Sequence, residues 1–575
     1  MALAAGIELP ASSMLAGQVV ELMHALPLDA RVAEAGARAL GERTGGAGLR
    51  KAERVALFKD SDLDYDARCF ECISAGAVEA LLTALERHAH SAGLAERACV
   101  ALCNILASDC APSRCMAGVI PSILAALRAH AGAAGVAEQA CAALRTIAFS
   151  GAGMEACLAA GAVPAIAAAL EAHAGVPAVA EQCCNALRNI AVSPQGQLAC
   201  LPAVPHMAAA LSAHVGIKSV AEQSCIALRN VSVCASGVHA CVAEGSSAAP
   251  AIVAALQAHS GDSSFAEHAS ATLRNLSVSG PGQGACLAAG AVPALIAALQ
   301  AQAGVPGVSL QALGALRNIA VMDVSACATA AGGIAAVLAA LRGCPAEPGV
   351  AEQACGLLRN LCSGDSGLRA CVQAGAVPAI VAALTAHAGV ASTAAQASWA
   401  LRGLAASAPG RSAAAAAGAL PALRAALAAH AHSAHVTLPA GAAVALLTQE
   451  HAHLTLLHLP PQQLQARLAS CQECWRAAPR RACAHSEPQQ CAICCLDVEG
   501  EGGVALPCGH VFHTRCIMTW AATQTRAQRG MASLPPGSQA VCPLDRCVIT
   551  HRVVSEAGVP VDEWDVQTPS LLGGI

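Results

Sequence analysis

The sequence predicts an all-α chain of stacked helical repeats followed by a small zinc-bound module, and three observations carry that prediction. A tripeptide around Leu-Arg-Asn returns every 41–45 residues, a Gly-Ala-Val-Pro marker keeps the same beat, and paired Cys and His residues crowd the stretch from Cys491 to Cys542. Two independent markers in phase exclude a chance period, and a period in the forties signals a solenoid rather than separate domains.

Composition narrows the functional classes. The hydrophobic fraction of 55% in 575 residues looks membrane-like, but Ala carries much of it, and apolar stretches such as ACLAAGAVPAIAAAL (156–170) are cut by Pro. No run offers the roughly 18 strongly apolar residues of a spanning helix. The N-terminus reaches its first Arg only at Arg31, so neither a secretory signal nor an Arg-rich transit peptide is expected. The expected location is cytoplasm and/or nucleus, where thiols stay reduced, so the 30 cysteines are expected to be core residues or zinc ligands rather than disulfides. A net charge of −5 without a basic block offers nucleic acid no electrostatic footprint. Of the 33 basic residues only Lys51, Lys59 and Lys218 are lysines.

Residues 1–69 read as a degenerate N-terminal cap, in which VVELMHALPLDARVAEAGARAL (19–40) is a partial repeat. From 70 to 450 the beat is regular: Leu102, Leu144, Leu187, Leu228, Leu273, Leu316, Leu358 and Leu401 open the tripeptides, and Pro121, Pro164, Pro205, Pro250, Pro293, Pro378 and Pro421 mark the second signal. Pro in the first turn of a helix costs no hydrogen bond. The apolar stretch after it closes near His130, His173, His214 or His387, which suits a helix C-terminus. The Leu-Arg-Asn stretch is again helical by its apolar spacing. With Leu187 facing the core, Cys184 and Ile190 share its face, whereas Asn189 lies 200° away at 100° per residue. Two outward rows of amides follow, one of Asn and one of Gln (Gln139, Gln182, Gln223, Gln311, Gln353, Gln396). Amides provide donor and acceptor together, as an extended peptide backbone requires.

These markers resemble the armadillo repeat over about residues 70–450, as about nine repeats. The resemblance implies a right-handed armadillo-type α-solenoid whose groove binds a peptide segment of a partner protein, with Asn104, Asn189, Asn230, Asn275, Asn318 and Asn360 along the groove. Nuclear-import adaptors of this family carry Trp four residues before the groove Asn. Here only Trp399 fits, and Gly403 replaces its Asn, so import cargo is not expected. The Arg row (Arg188, Arg229, Arg274 and equivalents) falls near the Glu of the Ala-Glu-Gln stretch on the wheel, so a self-compensating charged flank is expected.

Residues 451–487 read as a linker with one helix. From Cys491 the pairs run C-x2-C (Cys491, Cys494), C-x-H (Cys508, His510), H-x2-C (His513, Cys516) and C-P-L-D (Cys542 to Asp545). Ligands one or two residues apart can grip one edge of a tetrahedral zinc from a short loop, and four pairs make two sites. With FHTRCIMTW (512–520) the pattern resembles a RING finger over 488–552, with a tail at 553–575. That resemblance implies a cross-brace: one structural zinc on Cys491, Cys494, His513 and Cys516, the other on Cys508, His510, Cys542 and an eighth ligand. The eighth is Asp545 or Cys547. C-P-L-D resembles the RING subunit of cullin-type ligases and favours Asp545, which also leaves Arg546 at the family position that contacts ubiquitin.

The resemblance implies a RING-type ubiquitin ligase in which Ile493, Trp520, Pro543 and Arg546 meet a ubiquitin-charged conjugating enzyme and the groove recruits substrate. No catalytic nucleophile is expected on this chain. The alternative is a non-enzymatic armadillo scaffold with a purely structural zinc module.

Overall fold

The computed structural model describes residues 15–45, 62–108 and 113–457, and four short strands between 489 and 513. The chain divides into two compact units, Met1–Cys344 and Pro345–Ile575. Among the described residues, the helices from Asp62 to Leu457 fall into nine successive groups. A typical group has a short first helix (Gly151–Ala159), a middle helix (Ala162–Ala172) and a long third helix (Pro177–Ile190). In the second group the first two helices are continuous, Ser113–Ala129, with Pro121 inside. Ahead of the nine, Ala16–Ala25 and Ala30–Thr44 pack on the middle and third helices of the first group, as the missing two-thirds of a repeat would.

The core follows the wheel. Cys184, Leu187 and Ile190 are fully buried, as are Cys225, Leu228 and Val231 one repeat later. Every described cysteine except Cys234 is buried, and burial pushes the thiols of Cys99, Cys184, Cys225 and Cys355 up to about 12. These thiols are small core hydrophobes, protonated and inert at neutral pH.

In the repeat that spans Gly151 to Ile190, glycines make both corners. Gly161 has φ +69°, a left-handed conformation that only glycine takes without strain, and there the chain bends by 80° between the first and middle helices. A second signal, Ser-x-x-Gly, opens the first helix. Ser193 accepts from Gly196 N at 3.0 Å, and Ser150, Ser279 and Ser407 repeat this cap with Gly153, Gly282 and Gly410. A Cβ on Gly196 would stand 1.8 Å from the carbonyl oxygen of Ile190. The glycine lets the first helix start against the end of the third.

The histidines at the middle-helix ends occupy the C-cap position, as at His173 and His214, and they also staple repeats together. His173, His214, His259 and His430 place Nε2 2.7–2.8 Å from the carbonyl oxygens of Ala131, Ala174, Val215 and Ala388 in the repeat before. A carbonyl only accepts, so Nε2 carries the proton. Gln302 takes the same place and donates to Gly261 O at 2.9 Å. His214→Ala is therefore expected to lower stability by about 1–2 kcal/mol, because the half-buried Ala174 carbonyl loses its donor. His214→Gln should recover most of that in a denaturant titration, as Gln302 does the same work.

Among the described residues no single helix is long and apolar enough to cross a membrane.

Candidate peptide groove and zinc module

The groove residues lie on the third helices. Asn189 and Asn230 each donate from Nδ2 to the carbonyl oxygen of the preceding repeat's Arg, Arg145 and Arg188, at 3.0 Å. Asn275 and Asn318 do the same to Arg229 and Arg274 at 3.3 Å. All four are half-buried, as is Asn360. Their position follows from the wheel, but their bonds to the neighbouring repeat do not: these amides already tie repeat to repeat. The Oδ1 atoms of Asn189, Asn230, Asn275 and Asn318 accept no hydrogen bond among the described residues. Asn104 departs from the outward expectation. It is 2% exposed, with Nδ2 3.3 Å from Gly41 O, because the N-terminal helix Ala30–Thr44 packs directly against its own.

The Arg row is arranged differently from the expected self-compensating flank. Arg188 donates to Gln223 at 2.8 Å, Arg274 to Gln311 at 3.0 Å and Arg359 to Gln396 at 3.3 Å, each in the following repeat. In one repeat His268 replaces Gln, and Arg229 donates to its Nδ1 at 2.8 Å. Burial, then the Arg229 charge, hold that imidazole below its usual range, so it stays neutral and accepts. Arg and Glu share a wheel angle but stand seven residues apart, about 10 Å along the helix. The next repeat's Gln is simply nearer. Gln223, Gln311 and Gln396 are thus engaged in packing, and Glu96 and Glu267 lie against the first turn of the following third helix: Cβ atoms on Gly135 and Gly307 would come within 2.3 and 2.0 Å of their oxygens. Carboxylates are favoured at that positive helix end.

A third row had no place in the sequence expectations. Phe149, Val192, Val233, Val278 and Val321 each stand five residues after the core Leu of their repeat, and all are 66–72% exposed. Phe149 and Val192 border one open concavity with Arg188, Asn189, Arg229 and Asn230, so the apolar, amide and guanidinium rows share one groove. The signal was present as a Val three positions after Asn189, Asn230, Asn275 and Asn318. It went unread because an isolated Val at a helix end is unremarkable.

Trp399 is flanked by two guanidiniums, Arg359 and Arg402, each 4.9 Å from a ring centroid. Burial holds Arg402 below its usual range, and the ring face offsets part of that cost.

In the C-terminal module the backbone shows two antiparallel pairs. β1 (Gln489–Gln490) pairs with β2 (Asp497–Val498), and β3 (Gly503–Ala505) with β4 (Val511–His513). Cys491 and Cys494 fall between the first two strands in sequence, Cys508 and His510 between the second two. In sequence, each antiparallel strand pair thus brackets one candidate ligand pair. A donor set of thiolates and imidazoles, completed by either Asp545 or Cys547, fits zinc. Cys491, Cys494, Cys508, His510, Cys516, Cys542 and Asp545 lie outside the described residues, as do Ile493, Trp520, Pro543 and Arg546, and His513 is described in its backbone alone. Among the described residues no cluster of His, Cys, Asp and Glu could hold a metal.

Comparison with known proteins agrees with both parts. A family model described as a Ring finger domain matches residues 489–546. RING fingers bind zinc. No curated protein matches the chain. Among solved structures, an engineered protein covers 75% of this chain and 98% of its own at 23% identity and TM-score 0.57. A structure from work on a phosphorylation switch that controls the cadherin and beta-catenin interaction covers 75% and 94% at 16% identity and TM-score 0.55. A designed armadillo repeat protein in complex with the peptide (KR)4 covers 42% and 99% at 21% identity and TM-score 0.36. The protein is an armadillo-type α-solenoid that carries a RING finger at its C-terminal end.

Proposed function

We propose that the protein is a RING-type ubiquitin ligase of the cytoplasm and/or nucleus, in which the armadillo groove binds a peptide segment of the substrate and the RING holds a ubiquitin-charged conjugating enzyme. One observation carries this reading: the Ring finger match over 489–546 takes in all four ligand pairs together with Ile493, Trp520, Pro543 and Arg546. A merely structural zinc module has no need of that apolar triad and Arg. The match also ends on Arg546, one residue past Asp545 and short of Cys547, which favours Asp545 as the eighth ligand.

The chain supplies position rather than a nucleophile. A substrate lysine amine attacks the thioester carbonyl on the conjugating enzyme, an isopeptide bond forms, and the enzyme's cysteine leaves as a thiol. Zinc held by four protein ligands per ion would supply structure rather than chemistry. Ile493, Trp520 and Pro543 offer apolar contact to the conjugating enzyme, and Arg546 restrains the ubiquitin. In the groove, the free Oδ1 atoms of Asn189, Asn230, Asn275 and Asn318 are placed to accept from peptide N–H groups.

The test is discharge of charged conjugating enzymes onto free lysine. Self-modification is a poor readout, because Lys51, Lys59 and Lys218 are the only lysines, and the Lys218 ammonium is held protonated by its ion pair with Asp262. Ile493→Ala should weaken capture of the conjugating enzyme by about 1.5–3 kcal/mol, whereas Arg546→Ala should slow discharge at unchanged capture. Failure of the wild-type protein to accelerate discharge with any enzyme of a broad panel would replace the ligase by the scaffold.

A further inference from the structure

We propose that the strip of third-helix ends from Phe149 to Val321 is the docking surface for an extended segment of a partner protein that alternates acidic with aliphatic side chains. This deepens the groove proposed above and rests on it.

One exposed valine carries no meaning. Five large apolar side chains in successive repeats, all about two-thirds exposed, form a row of the kind that marks interaction surfaces. The row has ends: the same position is Ala107 in the repeat before, and Ser363 and Ala406 in the two after. Third helices packed about 8–10 Å apart make five rungs roughly 35 Å long, the span of about ten extended residues.

Charge selects the chemistry between the apolar positions. The guanidiniums of Arg229 and Arg274 bond to neutral partners, His268 and Gln311, and neither makes an ion pair among the described residues. Arg229 is four residues from Val233, about 6 Å along the helix. Glu222 is about 10 Å away on the other side of Arg229. A segment lying on the valines therefore meets guanidinium first, and its own carboxylates are complementary there. The amide row, between the two, faces its backbone.

The test uses the full chain and three labelled peptides of about twelve residues: Asp alternating with Val, Lys alternating with Val, and Asp alternating with Ser. Anisotropy titration should show the Asp/Val peptide binding at least tenfold tighter than either other, with affinity falling as salt rises. The triple variant Val192→Ser, Val233→Ser, Val278→Ser and the double variant Arg229→Gln, Arg274→Gln should each lose at least tenfold. The valine variant should keep its melting temperature, because those side chains are exposed. Equal binding of the Lys/Val or Asp/Ser peptide, unchanged binding by the valine variant, or no binding of any peptide overturns the proposal. If the Lys/Val peptide binds best and Asn230→Ala with Asn275→Ala removes it, the groove stands and this specificity falls. If Asp/Val binding needs the valines but not the asparagines, the docking surface stands and the amide groove falls.

Discussion

Chelation of zinc from the full chain should unfold residues 488–552 while the solenoid keeps its melting transition. A module of about 60 residues has too small a core to fold unaided, and a structural zinc contributes on the order of 10–16 kcal/mol of folding free energy. The solenoid holds no described metal cluster, so it has nothing to lose. The expected result is release of two zinc ions per chain, measured by a metallochromic dye, with limited proteolysis then cutting only beyond the last repeat. One zinc per chain would remove the cross-brace. Asp545→Ala should release one ion and Cys547→Ser none, and the reverse pattern would make Cys547 the eighth ligand.

The second large effect has a sign that helix propensity gets wrong. Gly→Ala inside a helix ordinarily stabilises by about 0.5–1 kcal/mol, so Gly196, in the helix Pro194–Ala199, looks like a site for improvement. Its added Cβ would stand 1.8 Å from Ile190 O and 2.7 Å from the carbonyl carbon, and backbone cannot rotate away as a side chain can. Gly196→Ala should destabilise by about 2–3 kcal/mol, the cost of overpacking at a rigid contact. Two neighbours calibrate the result. Gly161→Ala, at φ +69° with nothing within 4 Å of the new Cβ, should lose only about 1–2 kcal/mol of backbone strain. Gly175→Ala has open space and an ordinary φ and should be near neutral. A denaturant series showing Gly196→Ala as stable as wild type would mean that the first helix can swing off the third.

The repeat period, the core face of the third helix and the RING finger pattern of paired Cys and His were all legible in the residues. Each is a local property: periodicity follows from 3.6 residues per turn, and a metal pair from spacing within one loop. The wheel placed Leu187, Cys184 and Ile190 in the core and turned Asn189 off it, as the solenoid has them. What the wheel could not supply is distance between repeats. It put Arg229 beside Glu222 by angle, yet the guanidinium goes to His268, 39 residues away. It left the histidines as caps, yet His214 also reaches back to Ala174 O in the repeat before. It treated Asn230 as free for a ligand, yet Nδ2 is bound to Arg188 O. A helix specifies which side a residue faces, and only stacking specifies what stands opposite. For the same reason the exposed valines carried no meaning one at a time and became a surface when five third helices lay side by side.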